Sequence, residues 1–138
     1  LIVDTSAVVS VLNDEPYREQ IEVAIAASSC EMSSISLLEA SIVLMCRRGE
    51  ESLAALDTWL EAADINVVAF TPAHARLARN AYARFGKGRH ASALNFGDCA
   101  AYALAVDRND ELLFVGADFP LTDVRCAKIG KPSKINDS

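Results

Sequence analysis

At 138 residues, 51% of them hydrophobic and 23% charged, the chain is long enough to bury a core and too apolar to be disordered. A net charge of −6 argues against non-specific nucleic-acid binding by charge alone, and no run of about 18 apolar residues is present to span a membrane. The charge is uneven: residues 1–70 carry 3 Lys/Arg against 12 Asp/Glu, residues 71–138 carry 10 against 7. A basic second half beside an acidic pocket can still hold a phosphate backbone if cations bridge the two.

No secretory leader is visible. The four cysteines, Cys30, Cys46, Cys99 and Cys126, are dispersed and form no CxxC pair. Buried free thiols in a reducing cytoplasm are expected, not a structural zinc site.

Leu1-Ile2-Val3 reads as a buried strand that stops at Asp4-Thr5-Ser6 and feeds a helix to about Asn13. Pro16 is expected at the first position of a second helix, and Cys30-Glu31-Met32 as a short strand. Ser34 or Ser36 is expected to cap an apolar helix that closes at Arg47-Arg48-Gly49. A helix over Glu51–Ala63 and a strand over Ile65–Phe70 follow, then a helix from Thr71-Pro72 to Phe85. After the loop Gly86–His90, Phe96-Gly97-Asp98 opens a helix to about Asp107. Leu112–Val115 and Val124–Lys128 are the last expected strands. Strands alternating with helices predict one α/β domain over residues 1–138, a three-layer α/β/α sandwich whose short, mostly parallel sheet has about five strands. Residues 129–138 read as a polar tail.

Four acids interrupt stretches that otherwise carry no charge. Asp4 is alone from Leu1 to Asn13, Glu39 from Met32 to Cys46, Asp98 from Ala91 to Val106, and Asp118 from Leu112 to Thr122. An ionised carboxylate in apolar surroundings is costly unless it is paired or binds a metal. Asp4 and Asp118 follow strands, while Glu39 and Asp98 are expected in first turns of helices, so all four belong to one edge of a parallel sheet. Each also has a structural explanation: Asp4 as a helix cap, Ser36-x-x-Glu39 as a capping box, Asp98 as a first-turn acid, Asp118 as a turn residue. Their coincidence at one edge, with Glu39 on the same helix face as Ile35, Ile42, Val43 and Cys46, weighs toward a ligand. Carboxylates without His or Cys suit a hard cation such as Mg²⁺ or Mn²⁺.

The motifs Asp4-Thr5-Ser6-Ala7, Glu39-Ala40, Gly97-Asp98-Cys99 and Gly116-Ala117-Asp118-Phe119 with Thr122-Asp123 resemble the PIN domain. Phe85-Gly86-Lys87-Gly88-Arg89-His90 followed by Leu94–Cys99 resembles, more narrowly, the VapC-type toxins of bacterial toxin–antitoxin pairs. The resemblance implies a Mg²⁺-dependent endoribonuclease, with Mn²⁺ as a substitute, whose catalytic acids are Asp4, Glu39, Asp98 and Asp118. It implies Asp4 and Asp98 as direct metal ligands, Glu39 binding metal-coordinated water or accepting its proton, Asp118 completing the shell or holding a second ion, and Ser6 hydrogen-bonding behind them. It further implies a homodimer, an RNA substrate, and a VapB-type antitoxin that inserts a segment into the acidic groove. Ala117 departs from the Asn or acid that many relatives carry, and Ala91 from a Pro common after the His.

The loop Lys87–His90 is a candidate phosphate contact, with Arg76, Arg79 and Arg84 as a possible extension or a plain exposed face. Asp123 reads as an exposed turn acid rather than a further ligand, and Trp59 as core or dimer packing. Two rivals stand beside the nuclease. One is another Mg²⁺-dependent phosphohydrolase or a phosphoryl-accepting domain. The other is a non-catalytic module whose acids cap helices or dock a basic peptide.

Overall fold

The computed structural model describes residues 1–132. Its sheet is built on very short strands, and the alternation of their side chains sets the layers. β1 is Ile2–Val3 and β4 is Leu112–Leu113, paired in parallel with Ile2 opposite Leu112 and Val3 opposite Leu113. Ile2 and Leu112 point into one buried cluster, Val3 and Leu113 into the other. β2 (Cys30–Ser33) and β3 (Ile65–Val68) complete four parallel strands in the order β3-β2-β1-β4.

The cluster on the Val3 side is closed by α1 (Thr5–Leu12), α2 (Arg18–Ala26), α3 (Ser34–Arg48) and α4 (Ser52–Ala62). On the Ile2 side α5 (Pro72–Phe85) and α6 (Phe96–Arg108) supply Ala81, Phe85, Tyr102 and Leu104. The three-layer α/β/α sandwich is therefore present. No helix among the described residues is long and apolar enough to cross a membrane.

Among the described residues the sheet has four strands where the sequence suggests about five. Val124–Lys128 meets the sheet at one residue only, where Leu112 N donates to Arg125 O and Ala127 N donates to Leu112 O (2.8 and 2.9 Å). Two-residue β4 offers too little edge for a longer ladder. β3 and β4 also end earlier than expected, at Val68 and Leu113.

Helix starts differ in informative ways. Pro16 lies in the turn before α2, which begins at Arg18. α3 is capped by Ser33, whose hydroxyl accepts from Ile35 N at 3.2 Å, so neither Ser34 nor Ser36 is the cap. Ser34 Oγ instead receives Phe70 N (3.1 Å), tying α3 to the end of β3. The Ser36-x-x-Glu39 box does not form: Ser36 is buried inside the helix and Glu39 lies in its second turn, not its first. The buried stripe of α3 is Ser36, Ala40 and Leu44, while Ile42 and Cys46 on the Glu39 face are exposed. Cys46 is thus not a buried thiol, although all four cysteines are free. α5 and α6 do open with reciprocal capping boxes, Thr71 with His74 and Asn95 with Asp98.

The expected polar tail is partly docked, since Ile129 packs against the core; its residues 133–138 lie outside the described part. Trp59 is partly buried against the same cluster.

Candidate active site

The chain leaves β1 toward β2, yet β4 returns on the other side of β1, so the strand order reverses between β1 and β4. In open parallel sheets, ligands bind beyond the strand C-termini at such a reversal. Asp4 occupies that point, its N–H donating to Leu113 O at 2.9 Å.

Asp4 is 3% exposed. Its Oδ2 accepts from Ser6 N (3.0 Å) and Ser6 Oγ (2.6 Å), and Ser6 Oγ in turn accepts from Val115 N (2.9 Å). Its Oδ1 is buried with no hydrogen-bond partner among the described residues. Burial pushes the Asp4 carboxyl up to about 6; the Ser6 bonds oppose that rise, and the charges of Asp98 and Glu39 add to it.

Asp98 sits in the first turn of α6, half-buried. Its Oδ2 accepts from Asn95 N (3.0 Å), while its own N–H donates to Asn95 Oδ1 (2.9 Å). Burial raises its carboxyl above the usual range; the Asn95 bond lowers it, and the charges of Glu39 and Asp118 raise it again. Glu39 reaches α6 from the second turn of α3, and its carboxylate lies where a side chain at residue 97 would begin, a space Gly97 leaves open. Asp118 is exposed, just before a 3-10 turn over Phe119–Leu121. The four acids therefore act on one another electrostatically, with Asp4 at the buried end and Asp118 at the rim. None of them enters an ion pair among the described residues.

Among the described residues, no three His, Cys, Asp or Glu side chains close into a ready cage for an ion. Mg²⁺ does not require one, because it takes one or two carboxylates directly and keeps several waters before phosphate oxygens replace them. The orphaned Oδ1 of Asp4 and the oxygen-only donor set fit such an ion.

Several other residues are settled by their partners. Asp123 is exposed, as its turn position suggests, and it is paired: Arg84 Nη2 donates to its Oδ2 at 2.9 Å, and the Tyr102 hydroxyl donates to its Oδ1. His74 is buried within the α5 capping box, where Nδ1 accepts from Thr71 N (3.3 Å), so Nε2 carries the proton donated to Asp107 (3.0 Å). The 86–94 loop is closed by Lys87 N to Leu94 O, Leu94 N to Phe85 O, and the buried Ser92 hydroxyl to Phe85 O, each 2.9 Å. Lys87, Arg89 and His90 are exposed on it, directly before the Asn95–Asp98 cap. The sequence patterns assign no structural part to Tyr102 or Ser92, and Gly97 reads only as a motif neighbour of Asp98. Only Tyr102 left a further trace, four residues after Asp98 on the same helix face.

The strand order reverses beside Asp4, with Glu39 and Asp98 near enough to raise its carboxyl and Asp118 acting in turn on Asp98. Residues 1–124 match the PIN domain family. The chain is 47% identical over 125 residues to Ribonuclease VapC of Mycolicibacterium smegmatis, covering 90% of this chain and 97% of that protein. The fold is similar to that of Mycobacterium tuberculosis VapC20, described as a Sarcin-Ricin loop cleaving toxin. Its TM-score is 0.73 at 17% identity, over 89% of this chain and 95% of that one. It is also similar to a chain of VapBC2 from Rickettsia felis, bound to a DNA fragment from the promoter. There the TM-score is 0.70 at 17% identity, over 94% and 98% of the two chains. The chain belongs to the PIN-domain family, in its VapC branch.

Proposed function

We propose that the protein is the toxin of a toxin–antitoxin pair, a Mg²⁺-dependent endoribonuclease that hydrolyses RNA phosphodiester bonds in the cytoplasm. The observation that carries this reading is the buried Asp4 carboxylate, with one oxygen held by Ser6 and the other unpartnered at the sheet reversal. Such a group is costly to ionise unless a cation meets it. Asp4 and Asp98 are the residues to hold that cation, and Mn²⁺ has the same donor preference as Mg²⁺. When bound, the ion supplies positive charge for the phosphate in the transition state and acidifies water.

The remaining work falls to the chain. Ser6 fixes the orientation of Asp4. The Asn95–Asp98 capping box orients Asp98, and Gly97 admits Glu39 to the position from which its carboxylate takes a proton from the attacking water. Asp118 adds negative charge at the open rim. Lys87 and Arg89 lie one loop away, placed to receive the RNA backbone outside the acids.

The relatives support the partners in the same reading: VapC is named a ribonuclease in one, and in another it occurs in a VapBC2 assembly. A VapB-type antitoxin with a basic segment is the natural occupant of a cluster of acids that pairs with no Lys or Arg among the described residues. Leu38 and Ile42, one turn apart on α3 and both about half-exposed, support a homodimer. The test is cleavage of RNA with and without Mg²⁺, in the parent and in Asp4→Asn and Asp98→Asn. Metal-dependent cleavage lost in both variants is expected. Undiminished cleavage in both would falsify the assignment.

A further inference from the structure

We infer that Asp123 is a positioning residue for the site: Tyr102 and Arg84 clamp it, and the clamp fixes the strap that carries Asp118 relative to Asp98. The inference rests on the four-acid metal reading above. α6 bears Asp98 in its first turn and Tyr102 one turn later on the same face, so the helix is a common base for both. The Tyr102 hydroxyl donates to Asp123 Oδ1, and Arg84, from the end of α5, donates to Oδ2 at 2.9 Å.

Between Asp118 and Asp123 there is little room for play. Leu121 N donates to Asp118 O (3.1 Å), Thr122 N donates to Phe119 O (3.0 Å), and the Thr122 hydroxyl donates to the same carbonyl (2.7 Å). Phe119 is buried with its ring 5.1 Å from that of Phe114. On the other side of Asp118 stands Gly116, with φ of 130°, a conformation that few side-chain-bearing residues adopt. Asp118 is thus held from its C-terminal side, and Asp123 is the only side chain of Asp118–Asp123 that reaches α5 and α6 through hydrogen bonds among the described residues. The charges agree with this pairing. The Tyr102 and Arg84 bonds hold the Asp123 carboxyl below the usual range, while burial and Asp123 push the Tyr102 phenol up to about 12.

The experiment is a double-mutant cycle read by calorimetric Mn²⁺ binding, with cleavage as a second readout. Tyr102→Phe removes one hydroxyl and keeps the ring in the core; Asp123→Asn and Asp118→Asn complete the set. Tyr102→Phe and Asp123→Asn are each expected to weaken Mn²⁺ binding about tenfold, with cleavage recovering at saturating metal. In the Asp118→Asn background the same changes are expected to have no further effect, because the clamp acts through that acid. A loss of thermal stability with unchanged Mn²⁺ affinity would overturn the proposal, as would equal effects with and without Asp118. Asp98→Asn separates the two levels. If it too leaves Mn²⁺ binding unchanged, the metal reading falls. If it abolishes binding while Tyr102→Phe does nothing, only the clamp falls.

Discussion

Gly97 and Glu39 share one space: a Cβ at position 97 would fall within the Glu39 carboxylate, which leans from α3 onto the first turn of α6. Glycine in a helix is unfavourable by about 0.5–1 kcal/mol relative to alanine, so something must compensate for its presence beside Asp98. The compensation is access, because the carboxylate stands beside Asp98 only while that volume is empty. Gly97→Ala is expected to leave the fold intact or slightly more stable, since the obstructing atoms are the far end of a flexible side chain. Cleavage is expected to drop about 10- to 100-fold, part of the 10²–10⁴ typical of losing a general base. Thermal melting beside single-turnover kinetics checks both halves. Full activity in Gly97→Ala would remove Glu39 from the mechanism.

The loop that precedes Asp98 exposes Lys87 and Arg89 on a backbone closed by Ser92 and Leu94. Neither cation has an ion-pair partner among the described residues, whereas Arg84, Arg108 and Arg18 do. Cations free of internal partners are the ones to meet phosphate. Lys87→Ala with Arg89→Ala is expected to raise KM for RNA several-fold and leave kcat within about twofold. For single-stranded RNA, the slope of log affinity against log salt is expected to shrink by about 0.7 for each phosphate no longer neutralised. An unchanged salt slope would place the RNA elsewhere.

The sequence made the helices and the four acids legible for one physical reason: a charge inside an apolar stretch, or a cap before one, is a local signal. Asp4, Asp98 and the Thr71-Pro72 start could each be read from their neighbours. Glu39 reads from the sequence as facing inward, because Ile35, Ile42 and Val43 make its helix face look apolar enough to be core. In the structure Ile42 on that face is half-exposed and the core stripe is Ser36, Ala40 and Leu44. Periodicity marks an apolar stripe and does not say whether the covering surface belongs to the same chain. The fate of Asp123 was hidden for a different reason: its partners Arg84 and Tyr102 are 39 and 21 residues away, and no local pattern pairs them. The fifth strand failed because pairing length depends on how long β4 is, a property of the neighbour.

That exposed α3 face supports a test of self-association. Leu38 is 56% exposed and Ile42 48%, adjacent on one helix face. Phe96, 77% exposed, directly precedes Gly97, against which Glu39 of the same face rests. If a second copy covers this surface, Ile42→Lys is expected to halve the mass seen by light scattering while the helical signal is retained. Val23→Lys is the control, since Val23 is as exposed but lies on α2. Dissociation by Val23→Lys and not by Ile42→Lys would move the interface.

Asp4 ties the chemistry to stability through pH. In the unfolded chain its carboxyl ionises near 3.8, and in the folded protein burial delays this to about 6. Below 3.8 both states hold the proton and Asp4 costs nothing. Between 3.8 and 6 the unfolded state ionises first, so the metal-free protein loses stability as pH rises, and above 6 the loss levels off. At about 1.4 kcal/mol per pH unit, the loss is on the order of 3 kcal/mol. Asp4→Asn can still accept from Ser6 and has no charge to bury. Urea unfolding in chelator is therefore expected to show the variant gaining on the parent from pH 4 to pH 7, with the gap constant beyond. Mn²⁺ is expected to reverse the order at pH 7, because it stabilises only the state whose carboxylate it meets. Parallel stability curves across that range, with and without Mn²⁺, would show that Asp4 is an ordinary cap.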